Sequence, residues 1–397
     1  MPKKNRRTKR VRRSTVAQPT VNRSTVRMKV VGVGGAGGNV IMRMEEGLRG
    51  VDFVAMNTDI QDLDKSGIKN KIHIGKILTK GMGAGMNPEL GRLAAEENRA
   101  EIIDALKDSD IIFLAAGFGG GTGSGATHVV AEVAKELGSL TIAVVTKPFA
   151  FEGAHRMRIA EEAISKLRDK VDALLVIPND RIFSIIDNET SIMKAFEKID
   201  DILKSAVQGI TEVISSAGIV NVDFADLKTV VSGAGTAIIG VGSATGKDRA
   251  VKATTDAINS PLLENSIHGA RGVIFCIAGN RDLRMSEIDE AAKIITANVD
   301  PAAKIIFGAY NDRKLRPGQL KVTIVAAGFN GTSLKNDMDS MNLFTIHERK
   351  ASEPFKNDLN IEKPAKSSAP STREIAKEVK VTEEEWDIPA FLRKKKR

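Results

Sequence analysis

Three glycine-rich stretches hold most of the chemistry that backbone amides could do in this sequence. They are Gly32-Val33-Gly34-Gly35-Ala36-Gly37-Gly38-Asn39, Gly81-Met82-Gly83-Ala84-Gly85-Met86-Asn87 and Gly117-Phe118-Gly119-Gly120-Gly121-Thr122-Gly123-Ser124-Gly125. Glycine lets amide N–H groups approach phosphate oxygens closely, and a helix opening after the loop adds the positive end of its dipole. The first stretch satisfies G-x-G-x-x-G, which alone serves a dinucleotide site or a ligand-free strand–helix turn equally well. The third is denser in glycine than a turn requires and carries two hydroxyls. No G-x-x-x-x-G-K-[ST] occurs, which excludes a P-loop NTPase. None of the three loops contains lysine, so phosphate charge would be met by amides, hydroxyls and Mg²⁺. Elsewhere Asp223 and Asp226 stand three residues apart, on one face of any turn or helix. Such a pair can position water, or it can simply favour a helix N-terminus.

These loops need rigid elements behind them. Runs at Arg27–Gly34, Val51–Met56, Asp110–Ala116, Leu140–Thr146 and Val171–Ile177 are mostly apolar, with consecutive apolar residues rather than alternation. Helical patterns lie between them at Gly35–Arg49, Glu89–Leu106 (opened by Pro88), Gly123–Leu137 and Glu152–Lys170. That alternation predicts a parallel sheet covered on both faces, a doubly wound α/β domain over residues 28–190. A long helix over Ser191–Ser216 and the loop after it make a connecting segment, residues 191–228. Strand-like runs at Thr236–Val241, Gly272–Ala278, Lys304–Gly308 and Lys321–Ala327 follow, with helices over Asp248–Ile258 and Ser286–Asn298. They predict a smaller α/β domain over residues 229–330. Residues 331–381 read as a polar, disordered linker, and 382–397 as a short peptide that regains apolar residues.

The chain has 397 residues and a formal charge of +9, but the charge is localised. Ten Lys and Arg and no acid lie in residues 1–27, and five more run from Arg393 to Arg397; residues 28–392 are left at −6. A protein that coats nucleic acid with its whole surface is therefore excluded, while two basic tails are not. A hydrophobic content of 42% supports a sizeable core. No uninterrupted apolar run reaches the roughly 18 residues that would cross a membrane. Cys276 is the only cysteine, which excludes an intrachain disulfide and a Cys-based zinc site; within Val273–Ala278 it reads as a buried core thiol. His73, His128, His155, His268 and His347 show no metal-ligand spacing.

The third glycine loop resembles the signature loop of the FtsZ family of tubulin-like cell-division GTPases. Further motifs follow in that family's order and spacing: Asn57-Thr58-Asp59, Gly81–Pro88, Thr146-Lys147-Pro148-Phe149, Phe151-Glu152-Gly153, Ile177-Pro178-Asn179-Asp180 and Asn221-Val222-Asp223-Phe224-Ala225-Asp226. The resemblance runs from about Lys29 to Gly328 and resumes at Trp386–Arg393. It implies a Rossmann-type, doubly wound GTP-binding domain, a long connecting helix and a smaller C-terminal domain. It implies GTP/GDP, with Mg²⁺ on the phosphates. Gly35, Ala36, Gly37, Gly38 and Asn39, with Gly121, Thr122 and Gly123, would cradle those phosphates. Glu152 and Arg156 would contact the ribose and phosphate sides. Asn179 and Asp200 would read the base, with Phe196 stacked near it. A carboxylate at Asp200 suits guanine, whose N1–H and N2–H₂ are adjacent donors.

Catalysis, on the same resemblance, falls to a neighbouring subunit. Asp226 would activate water, Asp223 would be its acidic companion and Asn221 a polar orienter. Hydrolysis would then require head-to-tail assembly into filaments, which in this family form the division ring in the cytoplasm. Trp386, Ile388, Pro389, Phe391 and Leu392 would dock on membrane-tethering division proteins of the FtsA/ZipA type. The basic N-terminus has no counterpart in that pattern. It reads as a solvated extension, as a contact for anionic membrane or nucleic acid, or as a transit peptide that would place the protein in the plastid stroma. Two other functional classes fit parts of the sequence. A dinucleotide-dependent oxidoreductase explains the first glycine loop but neither of the others. A non-hydrolysing scaffold leaves the Asp223/Asp226 pair without a role.

Overall fold

Valine, isoleucine and alanine dominate the central strands because both faces of the sheet are covered, so no position needs a polar residue. A computed structural model describes residues 26–329 apart from 46, 47, 49, 185, 188, 216–219, 221, 260–266, 313 and 314. The chain divides into two units, residues 1–340 and 341–397, and the second lies wholly outside the described residues. So do the N-terminal extension to residue 25, the linker, Asn221 and the terminal peptide with Trp386, Ile388, Pro389, Phe391 and Leu392.

The elements run β1 (Met28–Val33), α1 (Gly34–Glu45), β2 (Val51–Asn57), α2 (Ile60–Lys65), β3 (Asn70–His73), α3 (Lys76–Thr79), α4 (Pro88–Glu97), α5 (Arg99–Leu106), β4 (Ile111–Gly117), α6 (Gly121–Glu136) and β5 (Leu140–Lys147). After these come α7 (Ala154–Arg168), β6 (Ala173–Pro178), α8 (Ile192–Ser215), α9 (Phe224–Val231), β7 (Gly235–Thr245), α10 (Arg249–Ile258), β8 (Gly272–Gly279), α11 (Met285–Ala297), β9 (Lys304–Asn311) and β10 (Gln319–Ala327). The strands form one sheet in the order β3-β2-β1-β4-β5-β6-β7-β10-β8-β9. The first six are parallel, which is the doubly wound half expected from the sequence. β10 runs antiparallel to both β7 and β8, while β9 is parallel to β8. β6 and β7 meet only at Ala173–Gly235 and Leu174–Thr236, a narrow seam between the two halves.

Successive residues of a strand enter opposite cores. Val30 and Phe113 pack with Val40, Ile41 and Met44 of α1 and with Leu203, Val207 and Ile210 of α8. Val31, Ile112 and Leu114 pack on the other face with Ala126, Val129 and Val130 of α6 and Ile164 of α7. A third core joins α10 and α11 to β8 and β10. Burying a Val, Leu, Ile or Phe side chain fully is worth about 1.5–3 kcal/mol, so these layers fix the strand ends that carry the loops.

Two local expectations differ from the structure. The single helix expected over Glu89–Leu106 is two, because Asn98 breaks it: its Oδ1 accepts from Gly75 N (2.8 Å) and its Nδ2 donates to Glu101 Oε1 (3.0 Å). The helix expected from Glu152 begins at Ala154, after a single 3₁₀ turn over Ala150–Glu152.

Candidate functional site

The order of the parallel strands reverses between β1 and β4, and ligands of open α/β sheets bind beyond the carboxyl ends of strands at such a point. Here β1 and β4 deliver their chains into α1 and, through Phe118–Gly120, into α6. Gly34 turns the chain from strand to helix at φ 73°, a left-handed conformation that costs glycine nothing. Gly37 lets α1 lie against β4, since a methyl group there would sit 2.3 Å from Ala115 O. Neither first turn carries an acidic residue, and Gly120 before α6 supplies no side-chain cap. Two helix N-termini with amides to offer therefore open on one place.

That place is an open cavity of about 570 Å³, within the range of nucleotide-sized sites. It brings together Gly35, Ala36, Gly121, Thr122, Gly123, Glu152, Arg156, Asn179 and Phe196, all nominated from sequence. Gly38 and Asn39 line a smaller adjoining recess beneath α1, shared with Asn57 and Asp62. Gly37 lines neither and acts through packing. Asp200 stands one turn beyond Phe196 on α8, outside the cavity lining, with Arg43 Nε 3.1 Å from its Oδ2.

Several lining residues escaped the sequence assignment. Asn57, Thr58, Asp59 and Asp62, around the β2–α2 turn, form one wall, and Met82, Gly83, Ala84 and Gly85 form another. Their motifs, Asn57–Asp59 and Gly81–Pro88, were visible in the sequence, but nothing there placed them opposite the third loop. Thr58 and Thr122 join the walls through their hydroxyls at 2.6 Å.

The cavity carboxylates are each engaged. Asp59 caps α2, its Oδ1 accepting from Gln61 N (2.9 Å) and Asp62 N (3.2 Å). Asp62 accepts from Asn57 Nδ2 (2.8 Å), and Glu152 accepts from Phe149 N (2.9 Å) and Arg156 Nη1. Asn179, by contrast, is buried with no hydrogen-bond partner for its Oδ1, although it lines the cavity. A buried acceptor left unpaired is costly and points to a ligand donor at this wall. Phe196 is held edge-on to the buried ring of Phe149, with centroids 5.7 Å apart. Phe196 itself is 42% exposed and lines the cavity, where its ring can stack on a planar base.

Asp223 and Asp226 do not line the cavity. They open α9 as a reciprocal cap: Asp226 N donates to Asp223 Oδ1 at 2.8 Å, and Asp223 N donates to Asp226 Oδ2 at 3.4 Å. Both are exposed. The helix-start role that their spacing allowed is thus real, and it fixes two carboxylates at the far end of the connecting segment from the cavity residue Phe196.

The tubulin/FtsZ family GTPase-domain profile matches residues 27–187, and the FtsZ family C-terminal-domain profile matches residues 235–330. An empty FtsZ dimer from M. jannaschii is 44% identical, with a TM-score of 0.73, covering 77% of this chain and 89% of that one. A single-substitution variant from the same organism is 43% identical at the same TM-score, covering 77% and 92%. CetZ2 from Haloferax volcanii, a GTPγS-bound protofilament, shares the fold at 23% identity and a TM-score of 0.69, covering 79% and 97%. A switch-point cavity built from amides rather than lysine, on this sheet, defines a tubulin-type GTPase. The chain belongs to the FtsZ family.

Proposed function

We propose that this GTPase binds GTP in the switch-point cavity, assembles head to tail, and hydrolyses the nucleotide only where the next subunit's α9 reaches it. The observation that carries this reading is the distribution of carboxylates. Asp59, Asp62 and Glu152 line the cavity and are hydrogen-bonded within its walls, whereas Asp223 and Asp226 lie outside it, capping each other's amides and otherwise exposed. In-line hydrolysis requires an oriented water; the cavity acids are placed to meet the phosphates and their counter-cation, which leaves the water to an exposed carboxylate brought by the next subunit. Asp226 then orients and activates the water, Asp223 holds Asp226 in place through their shared cap, and Asn221 is the polar orienter.

The phosphates lie on the first-turn amides of α1 and α6, from Gly35–Gly38 and Gly121–Gly123. Gly37 contributes by letting α1 sit close, and Asn39 closes the recess behind. Arg156, paired with Glu152, is the cation lining the cavity among the described residues. Asp62 offers a hard oxygen beside Gly35, its Oδ2 lying 2.9 Å from the position of an added methyl, and Asp59 lines the same cavity. Mg²⁺ suits one or two carboxylates plus phosphate oxygens and water, and would offset phosphate charge there. Asn179 and Asp200 read guanine while Phe196 stacks on it.

Both ends expose apolar surface suited to burial between subunits. Met82 and Phe151 near the cavity are 79% and 66% exposed, and Ile305 and Phe307 on β9 are each 38% exposed. β9 adjoins the segment that leads to α9, through the Val220–Ala309 bridge. A heterologous contact of this kind does not close and yields filaments. These filaments form the division ring at the division site, tethered through Trp386, Ile388, Pro389, Phe391 and Leu392 to membrane-bound partners. Sedimentation with phosphate release, comparing GTP, GDP and ATP across protein concentration, tests the reading. Specific activity should rise as pellets form with GTP alone. Activity per subunit that stays constant on dilution would refute the shared site.

A further inference from the structure

The carboxylate proposed to read guanine sits in an unfavourable place for a charge. The Asp200 side chain is 14% exposed, and its own helix adds two more acids, Glu197 one turn before it and Asp201 beside it. Burial, with Asp201 and Glu197 adding repulsion, pushes the Asp200 carboxyl up to about 6. The opposing charge comes from α1: Arg43 places Nε 3.1 Å from Asp200 Oδ2 and Nη1 3.9 Å from Glu197 Oε1. The nearby ammonium of Lys204 is directed elsewhere, donating to the Arg43 carbonyl oxygen at 2.9 Å. That bond caps the end of α1 and pins it to α8, which holds the guanidinium against the acidic turn.

The protonation state decides what Asp200 can recognise. An ionised carboxylate accepts from both guanine donors, whereas a protonated one offers an O–H against guanine N1–H and loses the match. Phe196 and Asp200 are four residues apart and share a helix face, so the stacking ring and the acceptor are presented together.

We infer that Arg43 is a positioning residue for guanine selection, holding Asp200 ionised and aimed along the Phe196 face of α8. The inference rests on the reading of Asp200 as the base-recognising group. Arg43 is 35% exposed at its side chain, and Asp200 can take up a proton when the guanidinium is lost, so Arg43 variants should fold, which a denaturation midpoint checks.

The test uses the full chain and its Arg43→Gln, Arg43→Lys and Asp200→Asn variants. Binding of fluorescent GDP and ADP analogues is followed from pH 5 to pH 8, with KM and kcat for GTP at each pH. For the parent protein, GDP affinity should be level near pH 8 and weaken below about pH 6. In Arg43→Gln the break should move up by about one pH unit, making GDP binding about fivefold weaker at pH 6 and little changed at pH 8. KM for GTP should follow that shift while kcat at saturation holds, and Arg43→Lys should restore most of the profile. A break that does not move in Arg43→Gln, or a fall in kcat with KM constant, overturns the inference. Asp200→Asn separates the two levels. If it abolishes both the break and the GDP-over-ADP preference while Arg43→Gln changes nothing, only the role of Arg43 falls. If Asp200→Asn leaves the preference intact, Asp200 does not read the base and both fall.

Discussion

Gly125 is where the signature helix is most sensitive to a single methyl group. α4 crosses the start of α6 so closely that a Cβ on Gly125 would lie 1.9 Å from Pro88 O and 2.7 Å from Arg92 N, both backbone atoms. Real Cβ atoms essentially never come within 3.0 Å of such atoms, so Gly125→Ala must part the helices by at least 1.1 Å at that point. Overpacking of this kind costs about 1–3 kcal/mol, partly offset by the gain of up to about 1 kcal/mol for alanine over glycine inside a helix. The net loss should be about 1–2 kcal/mol. The functional effect should be larger, because the same crossing fixes Gly121–Gly123 relative to Gly83–Gly85 across the cavity. A displacement of about 1 Å at positioned groups can cost on the order of 100-fold in rate. Urea denaturation and GTP turnover at saturating protein concentration measure the two effects. Gly38→Ala is the control for the stability measurement alone, since a methyl there meets no protein atom within 4 Å. It should leave stability unchanged or raised by up to about 1 kcal/mol. If Gly125→Ala keeps the parent denaturation midpoint and turnover, the close crossing does not position the site.

Asp226→Ala should still bind GTP but lose at least about 100-fold in phosphate release, and mixing it with a variant unable to bind nucleotide should recover part of the activity at hybrid contacts. Binding that fails together with turnover would move Asp226 out of a purely catalytic role. Arg249 is 5% exposed at its side chain and joins Glu287 (Nε–Oε1 2.6 Å) and Asp282 (Nη1–Oδ2 2.7 Å). Arg249→Met leaves Glu287 buried and uncompensated and should cost about 3–5 kcal/mol, while the Arg249→Met/Glu287→Met double variant should recover much of it, both read from denaturation midpoints. Burial pushes the Cys276 thiol up to about 12. The native chain should therefore resist a thiol reagent at pH 8 and react stoichiometrically once unfolded; rapid native labelling would contradict the packed position of Cys276.

Strands buried on both faces announce themselves, which is why β1, β2, β4, β5 and β6 were legible as apolar runs and their order followed from βαβ alternation. The stretch from Ile60 to Thr79 was not, because α2, β3 and α3 are only 6, 4 and 4 residues long and too short to show a period. Asn98 looks like any polar helix residue until Gly75 is found beside it, 23 positions away in sequence. The site was legible where chemistry is carried by composition, as in the glycine loops. It was not legible where chemistry depends on convergence: Asp62 faces Gly35 only because β2 lies beside β1, and Arg43 meets Asp200 only because α1 and α8 cover the same face of the sheet. Asp223 and Asp226 show the opposite case, since their spacing foretold a helix cap that the structure contains, whereas the catalytic role proposed for them came from the family resemblance and not from the spacing.

The seam between β6 and β7 has a mechanical consequence. β7 and β10 are stitched over nine residue pairs, but β6 and β7 over two. In backbone pairing the ten strands are thus one sheet with a single weakly stitched line, across which the two halves are held mainly by the shared side-chain core. A few degrees of rotation there breaks few backbone bonds. In a head-to-tail polymer every subunit would carry the same crease, and identical small bends would add along the chain. Straight and arced filaments would then differ by a flexure within each subunit rather than by a rebuilt contact between subunits.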